Sequence, residues 1–230
     1  MNNTRIKNQR LINASYILKF FSVHRLILSI SLLTIVFIVP LVVVIFDLPY
    51  SIFRLTPGIM ILAVIILALN QQIWNIRILF FSLITFVTCM FFEILGVATG
   101  FPFGSYNYGS NLGWQILNVP LIIGINWLIV AFSSASIANR LSSNKITSCV
   151  LGAATMTILD LLIEPIAPLL DFWYFHSTDP GLMNYSGWFV IGLLLNILFH
   201  FLKIGTKNTA ALPLLFLYFS FFSALIILLK

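Results

Sequence analysis

Charge is what this chain has least of. Only 8% of its 230 residues are Asp, Glu, Lys or Arg, where a water-soluble protein carries about a quarter. A soluble fold of this length would lack the polar surface to cover itself, which excludes a large soluble catalytic domain and any soluble nucleotide-binding fold. Cysteine is scarce too. Cys89 and Cys149 both lie in apolar stretches, so neither a disulfide framework nor a cysteine-built zinc site is supported. There is no GxGxxG, no phosphate-cradling P-loop and no HExxH. No Asn-Asp-x-x-Asp run is present to bind a magnesium diphosphate, and His24, His176 and His200 are scattered. Nothing at local spacing supplies a metal site, so the expectation is no metal and no organic cofactor. The net charge of +6 is explained by the positive-inside bias of membrane proteins, so no nucleic-acid partner is expected.

Apolar residues fill the space that charge leaves. They make up 60% of the chain, and mean hydropathy is +1.08. Apolar runs fall near 26–46, 57–69, 78–97, 116–138, 146–169, 188–202 and 209–229. At about 20 residues per crossing, the expected fold is all-α, a polytopic bundle of about seven transmembrane helices in a lipid bilayer. Residues 1–25 carry Arg5, Lys7, Arg10, Lys19 and Arg25 and read as a basic cytoplasmic arm. Residues 26–230 read as a single integral membrane domain. The first run has no small-x-small cleavage site after Phe46 and is expected to remain as an anchor.

With the N-terminus inside, Arg77, Arg140, Lys145, Lys203 and Lys207 all fall in cytoplasmic loops, leaving Arg54 and Lys230 outside. The bacterial cytoplasmic membrane is the expected location. The acids show a pattern that this bias does not require. Asp47, Asp171 and Asp179 belong to outer loops, Glu93 to the outer end of the third span, and Asp160 and Glu164 to the outer half of the fifth. Glu93 and Asp160 each lie roughly 15 residues, or about 22 Å, from the inner boundary. They are at similar depth and can face one another.

Carboxyls at that depth are costly and need a reason. Asp160 and Glu164 are spaced i, i+4 and share a helix face. Pro165 and Pro168 break the ladder beside them. A purely structural role as hydrogen-bonded groups is the competing reading for all three acids. Two long outer loops follow these spans. One runs from Gly96 through Phe103, Tyr106 and Tyr108 to Trp114; the other runs from Asp171 through Trp173, His176 and Asn184 to Trp188. Neither contains Lys or Arg. Their aromatics suit an interfacial belt, but their glycines suggest close backbone approach as well. Both loops end in Gly-Trp, a hint of internal repetition.

The composite Glu93-x-x-Gly96-x-x-x-Gly100-x-x-Phe103-Gly104-x-Tyr106-x-Tyr108, with Leu112-Gly113, Val119-Pro120 and Trp127, resembles the membrane-embedded CruF-type carotenoid hydratases. So do Asp160-x-x-x-x-Pro165, Trp173-x-Phe175 and Pro180-x-x-x-Asn184-x-x-Gly187-Trp188. The likeness runs from Ile78 to Trp188 and departs from the family pattern at Trp173-Tyr174-Phe175 and Ser177-Thr178-Asp179-Pro180. It implies addition of water across the C1,2 double bond of an acyclic carotenoid end group, with the carotenoid and water as substrates and no cofactor. Contact with other carotenoid-pathway enzymes is a partner that it allows.

The residues suit that chemistry independently. Protonating an unactivated alkene needs a positioned acid, which a carboxyl kept neutral by apolar surroundings supplies. Aromatic faces stabilise the resulting cation without capturing it. Asp160 is the expected proton donor, coupled to Glu93, and these two can exchange roles. Glu164 would position or deprotonate the attacking water. Tyr106, Tyr108, Trp127, Trp173 and Asn184 are the candidate substrate-binding residues. Two rivals stand beside this reading. A proton-coupled transporter needs a polar path inward, for which Ser29, Ser31, Ser82, Thr85, Ser133 and Ser134 are available but no acid. An isoprenoid cyclase or isomerase would share the acid but exclude water.

Overall fold

Two asparagines start the two helices that carry the buried acids. In the computed structural model, Asn75 accepts hydrogen bonds from the Arg77 and Ile78 amides at 2.9 and 3.2 Å, and α3 (Ile76–Thr99) begins there. Asn144 does the same for Ile146 and Thr147 at 2.9 and 3.2 Å, opening α5 (Lys145–Ile163). Each cap satisfies amides that the first turn leaves unpaired. The structure describes residues 2–177, 180–205 and 207–229, with side chains from residue 22 onward. Asp179, Lys230 and the arm's Arg5, Lys7, Arg10 and Lys19 side chains therefore lie outside the described residues.

The remaining helices are α1 (Asn2–Ile45), α2 (Thr56–Leu69), α4 (Leu121–Leu141), α6 (Gly181–Phe201) and α7 (Ala211–Leu229). Among the described residues, seven helical segments are long and apolar enough to cross a membrane. The arm continues into the first span as one helix. A 3-10 turn over Tyr50–Leu55 runs into α2, so the second span reaches 20 residues rather than stopping short. In α4, 78% of the span is buried, against 28–44% for the other six. It is the bundle's axis, with α2, α3, α5, α6 and α7 packed around it.

Three further span boundaries differ from the hydropathy reading by five residues or more, each for a local reason. The fourth helix starts at Leu121 instead of 116, because β2 (Gln115–Ile116) and β3 (Val119–Pro120) pair in a tight hairpin. Its two turn residues, Leu117 and Asn118, both have positive φ. The fifth ends at Ile163 instead of 169, since Pro165 has no N–H to continue the ladder. The sixth starts at Gly181, not 188. Asn184, Tyr185 and Ser186 depress the local hydropathy there, yet Asn184 faces inward.

Loops at the acid-bearing end are clasped together. The strand β1 (Tyr106–Tyr108) pairs antiparallel with β4 (Trp173–Phe175), placing Tyr106 opposite Phe175 and Tyr108 opposite Trp173. Asp171 pins this clasp by accepting from the Ser110 amide (3.0 Å), the Ser110 hydroxyl (2.5 Å) and the Tyr174 hydroxyl (2.5 Å). The Ser110 and Tyr174 bonds hold the Asp171 carboxyl below the ordinary carboxylate range, helped by Arg54. At the opposite end, Gln71 bridges Asn208, Gln72 donates to Lys207 O, and Arg140 donates to Asn208 O. That end gathers Arg77, Arg140, Lys145, Lys203 and Lys207.

In a background with Cys89 and Cys149 replaced by serine, single cysteines at the exposed positions Ser110 and Ser143 are expected to be labelled from opposite membrane faces. Labelling from one face would contradict this threading. The clasp also predicts a pH dependence. Because the folded pKa of Asp171 is lowered, its stabilisation is present above the unfolded value of about 3.9 and is lost as pH falls through the folded value. The melting temperature of the protein in micelles should exceed that of Asp171→Asn at neutral pH. That gap should close on acidification below about pH 4, and a constant gap would remove Asp171 from the clasp.

Candidate active site

Glycine sets how deeply the first loop sinks. A Cβ on Gly96 would come within 2.9 Å of the Tyr106 hydroxyl and 3.0 Å of the Phe103 ring. One on Gly187 would meet the Pro102 carbonyl at 2.9 Å and Phe103 at 3.0 Å. Bare backbone on α3 and α6 therefore admits Phe103 and Tyr106 between the helices, and Phe103 is 2% exposed.

Below this plug lies a cavity of about 30 Å³ lined by Glu93, Asp160, Glu164, Asn184, Tyr106, Tyr108, Trp127 and Trp173. All eight candidate site residues thus meet at one place. Five further lining residues were not among the site candidates: Phe103, Phe175 and Trp188, which the sequence offered only as parts of the family motifs, and Ile123 and Asn126. Asn126 carried a readable signal, an amide inside an apolar span. Trp188 had been read with the loop's Gly-Trp ending. Here it is a buried helical residue, whereas Trp114 is 89% exposed, so the two Gly-Trp pairs are not equivalent.

The carboxyls sit in two settings. Glu93 Oε2 accepts from the Tyr106 hydroxyl (2.5 Å) and the Tyr108 hydroxyl (2.6 Å), while Oε1 accepts from Trp127 Nε1 (2.7 Å). Burial first, then the facing Glu93 charge, pushes both phenols well above their ordinary range, so they stay O–H donors. Three donors on one carboxyl suit a hydrogen-bond acceptor, and the Trp127 N–H among them can only donate. The second setting joins two acids through one amide. Asn184 Nδ2 donates to Asp160 Oδ2 (2.7 Å) and to Glu164 Oε1 (3.0 Å), and Trp173 Nε1 donates to Glu164 Oε2 (3.1 Å).

Aromatic faces enclose both settings. Trp127 stacks on Trp188 with centroids 3.8 Å apart at 15°. Tyr108 meets Trp173 edge-on at 6.3 Å, and Tyr106 lies 5.4 Å from Phe175. Among the described residues, no Lys or Arg lines the cavity. The site is therefore acidic and rich in π-faces, an environment that favours positive charge and offers proton donors.

A family model described as carotenoid biosynthesis protein matches residues 52–230 of this chain. Among curated proteins, the bisanhydrobacterioruberin hydratase of Haloarcula japonica is 28% identical over 117 residues, 47% of this chain and 40% of that protein. The match thus spans well under half of that relative's length. No solved structure matches the chain.

Proposed function

From the premise that this chain belongs to the carotenoid biosynthesis protein family, we propose that it is a carotenoid hydratase, adding water to the C1,2 double bond of an acyclic carotenoid end group. The observation that carries this reading is the pairing of a three-donor Glu93 cradle with the amide-linked Asp160–Glu164 acids in one aromatic cavity. The cavity's own space, about 30 Å³, admits a water or two but no isoprenoid end. The aromatic lining must therefore part for the substrate, which arrives from the bilayer.

In this scheme Asp160, as the carboxylic acid, protonates C2 and leaves a tertiary cation at C1. The saturated Glu93 cradle makes that residue the electrostatic partner of the cation. This supports Asp160 over Glu93 as the donor, an order the sequence left open. The faces of Trp127, Trp188 and Trp173 stabilise the cation without bonding to it. Water then attacks C1, and its released proton returns to the Asp160–Glu164 pair, whose carboxyls share Asn184. Carbon gains H and OH, the acid is restored, and no electrons are exchanged, so the scheme calls for no cofactor. The proposed orientation places the N-terminus in the cytoplasm and this site toward the outer face of a bacterial cytoplasmic membrane.

Incubation of the purified protein in lipid nanodiscs with an acyclic carotene is expected to give a product heavier by one water. Heavy water should place deuterium at C2, and labelled water should place its oxygen at C1. Oxygen derived from molecular oxygen would make the enzyme a hydroxylase and defeat the scheme. Asp160→Asn should lower turnover by about 10²- to 10⁴-fold, the usual worth of a positioned acid, with insertion unchanged. Glu93→Gln should also impair turnover, through loss of the anion. Near-normal rates in both variants would place the acid elsewhere.

A further inference from the structure

Two buried oxygens in the cavity lining accept from no N–H or hydroxyl among the described residues, Asp160 Oδ1 and Asn126 Oδ1, although the Asp160 and Glu164 carboxyls also meet each other directly. Both residues are almost wholly inaccessible, at 0% and 5% exposure. Burying an acceptor unpaired is costly anywhere, and more so within a membrane span. The neighbouring donors do not relieve it. Tyr106, Tyr108 and Trp127 are committed to Glu93, Trp173 to Glu164, and Asn184 to Asp160 and Glu164. Asn126 precedes Trp127 on α4, and successive helical side chains diverge by about 100°. Trp127 is thereby aimed at Glu93, and Asn126 at a different part of the same lining.

We infer that Asn126 and Asp160 form the binding site of the nucleophilic water. The inference rests on the hydratase reading and deepens it. A ligand suited to these two oxygens is small, donates to Asn126 Oδ1 and can pair with Asp160 Oδ1 before and after it gives up its proton, as water does, and the space fits one or two waters. Asp160 Oδ2 is engaged by Asn184, so Oδ1 is the oxygen left to carry and deliver the proton. Once Oδ1 has protonated C2, it becomes an acceptor. The water then donates one O–H to Asn126 Oδ1 and directs its other O–H toward the Asp160–Glu164 pair. Its lone pair is left free for the cation. As the C1–O bond forms, the second proton passes to that pair. The two atoms added to carbon are one proton and one hydroxyl, and the pair ends as it began. Asn126 makes no contact with the alkene in this arrangement. It is a positioning residue that selects hydration over return of the cation to alkene.

The test separates protonation from water capture. Wild type, Asn126→Leu and the smaller Asn126→Ala are incubated with an acyclic carotene in heavy water. Hydrated product and deuterium in recovered alkene are then measured together. Loss of the water's acceptor should cut hydration about tenfold or more while exchange into alkene persists, so the exchange-to-hydration ratio should rise at least about tenfold. Asn126→Asp, which keeps an acceptor oxygen, should lie closer to wild type in that ratio. A parallel fall in hydration and exchange, or an unchanged ratio in whichever apolar variant retains its melting temperature, would overturn the assignment. If neither variant folds, an experimental structure of the wild type lacking ordered water within hydrogen-bond distance of Asn126 Oδ1 would do the same. Absence of any hydration by the wild type is a separate result, since it removes the hydratase reading itself.

Discussion

A polar group carried into the apolar layer is costly unless it finds a partner inside the protein, and the bonds made by Glu93 show how far that requirement shapes this molecule. The carboxyl belongs to α3, but its donors come from β1 and α4. Satisfying one acid therefore fixes a helix, a loop and the central axis relative to each other. The requirement then propagates. Pairing of β1 with β4 carries Trp173 to Glu164, and Asn184 ties α6 to both acids of the fifth span. Four helices and two loops converge on three carboxyls because water is not there to solvate them.

The same bonds divide the labour among the acids. Three donors hold Glu93 as an acceptor, whereas the Asp160–Glu164 pair shares a single amide and one indole N–H. Fewer donors leave that pair room to hold a proton. With no cation among the described lining residues, a Glu93 carboxylate is, in the proposed reaction, the partner of the charge that develops in the cavity, the tertiary carbocation. Low surrounding polarity strengthens the attraction, and the stacked indoles Trp127 and Trp188 spread it over a face instead of a bonding atom. Preorganised charge of this kind needs no rearrangement as the cation forms.

Hydropathy and charge bias made the seven helices legible, since both are properties of long segments. The acids and aromatics of the site were legible as well, because carboxyls at membrane depth and glycine-rich aromatic loops stand out against an apolar background. Three features were not. The start of α6 was hidden because Asn184, Tyr185 and Ser186 look like loop to any average over a window, although Asn184 is spent on buried acids. The clasp joins Tyr106–Tyr108 to Trp173–Phe175 across some 65 residues, as in the Tyr108–Trp173 register, beyond the reach of local periodicity. Asn126 was passed over since its meaning depends on which way one side chain of α4 points.

That last residue bears on what separates a hydratase from its chemical neighbours. An acid that protonates an isoprenoid alkene inside an aromatic box is equally the start of a cyclase or an isomerase. The fate of the cation depends on what stands beside C1 when it forms. A wholly apolar wall leaves only internal alkenes or loss of a proton. A wall with open acceptors can hold water ready, and capture then competes at the rate of bond formation and not of diffusion. Here the aromatic faces and those two oxygens, Asp160 Oδ1 and Asn126 Oδ1, line the same cavity. The polar atoms are few enough to leave the rest of the lining dry. On this view it is the Asn126 amide, more than the acid that shares its cavity, that makes water the partner of the cation.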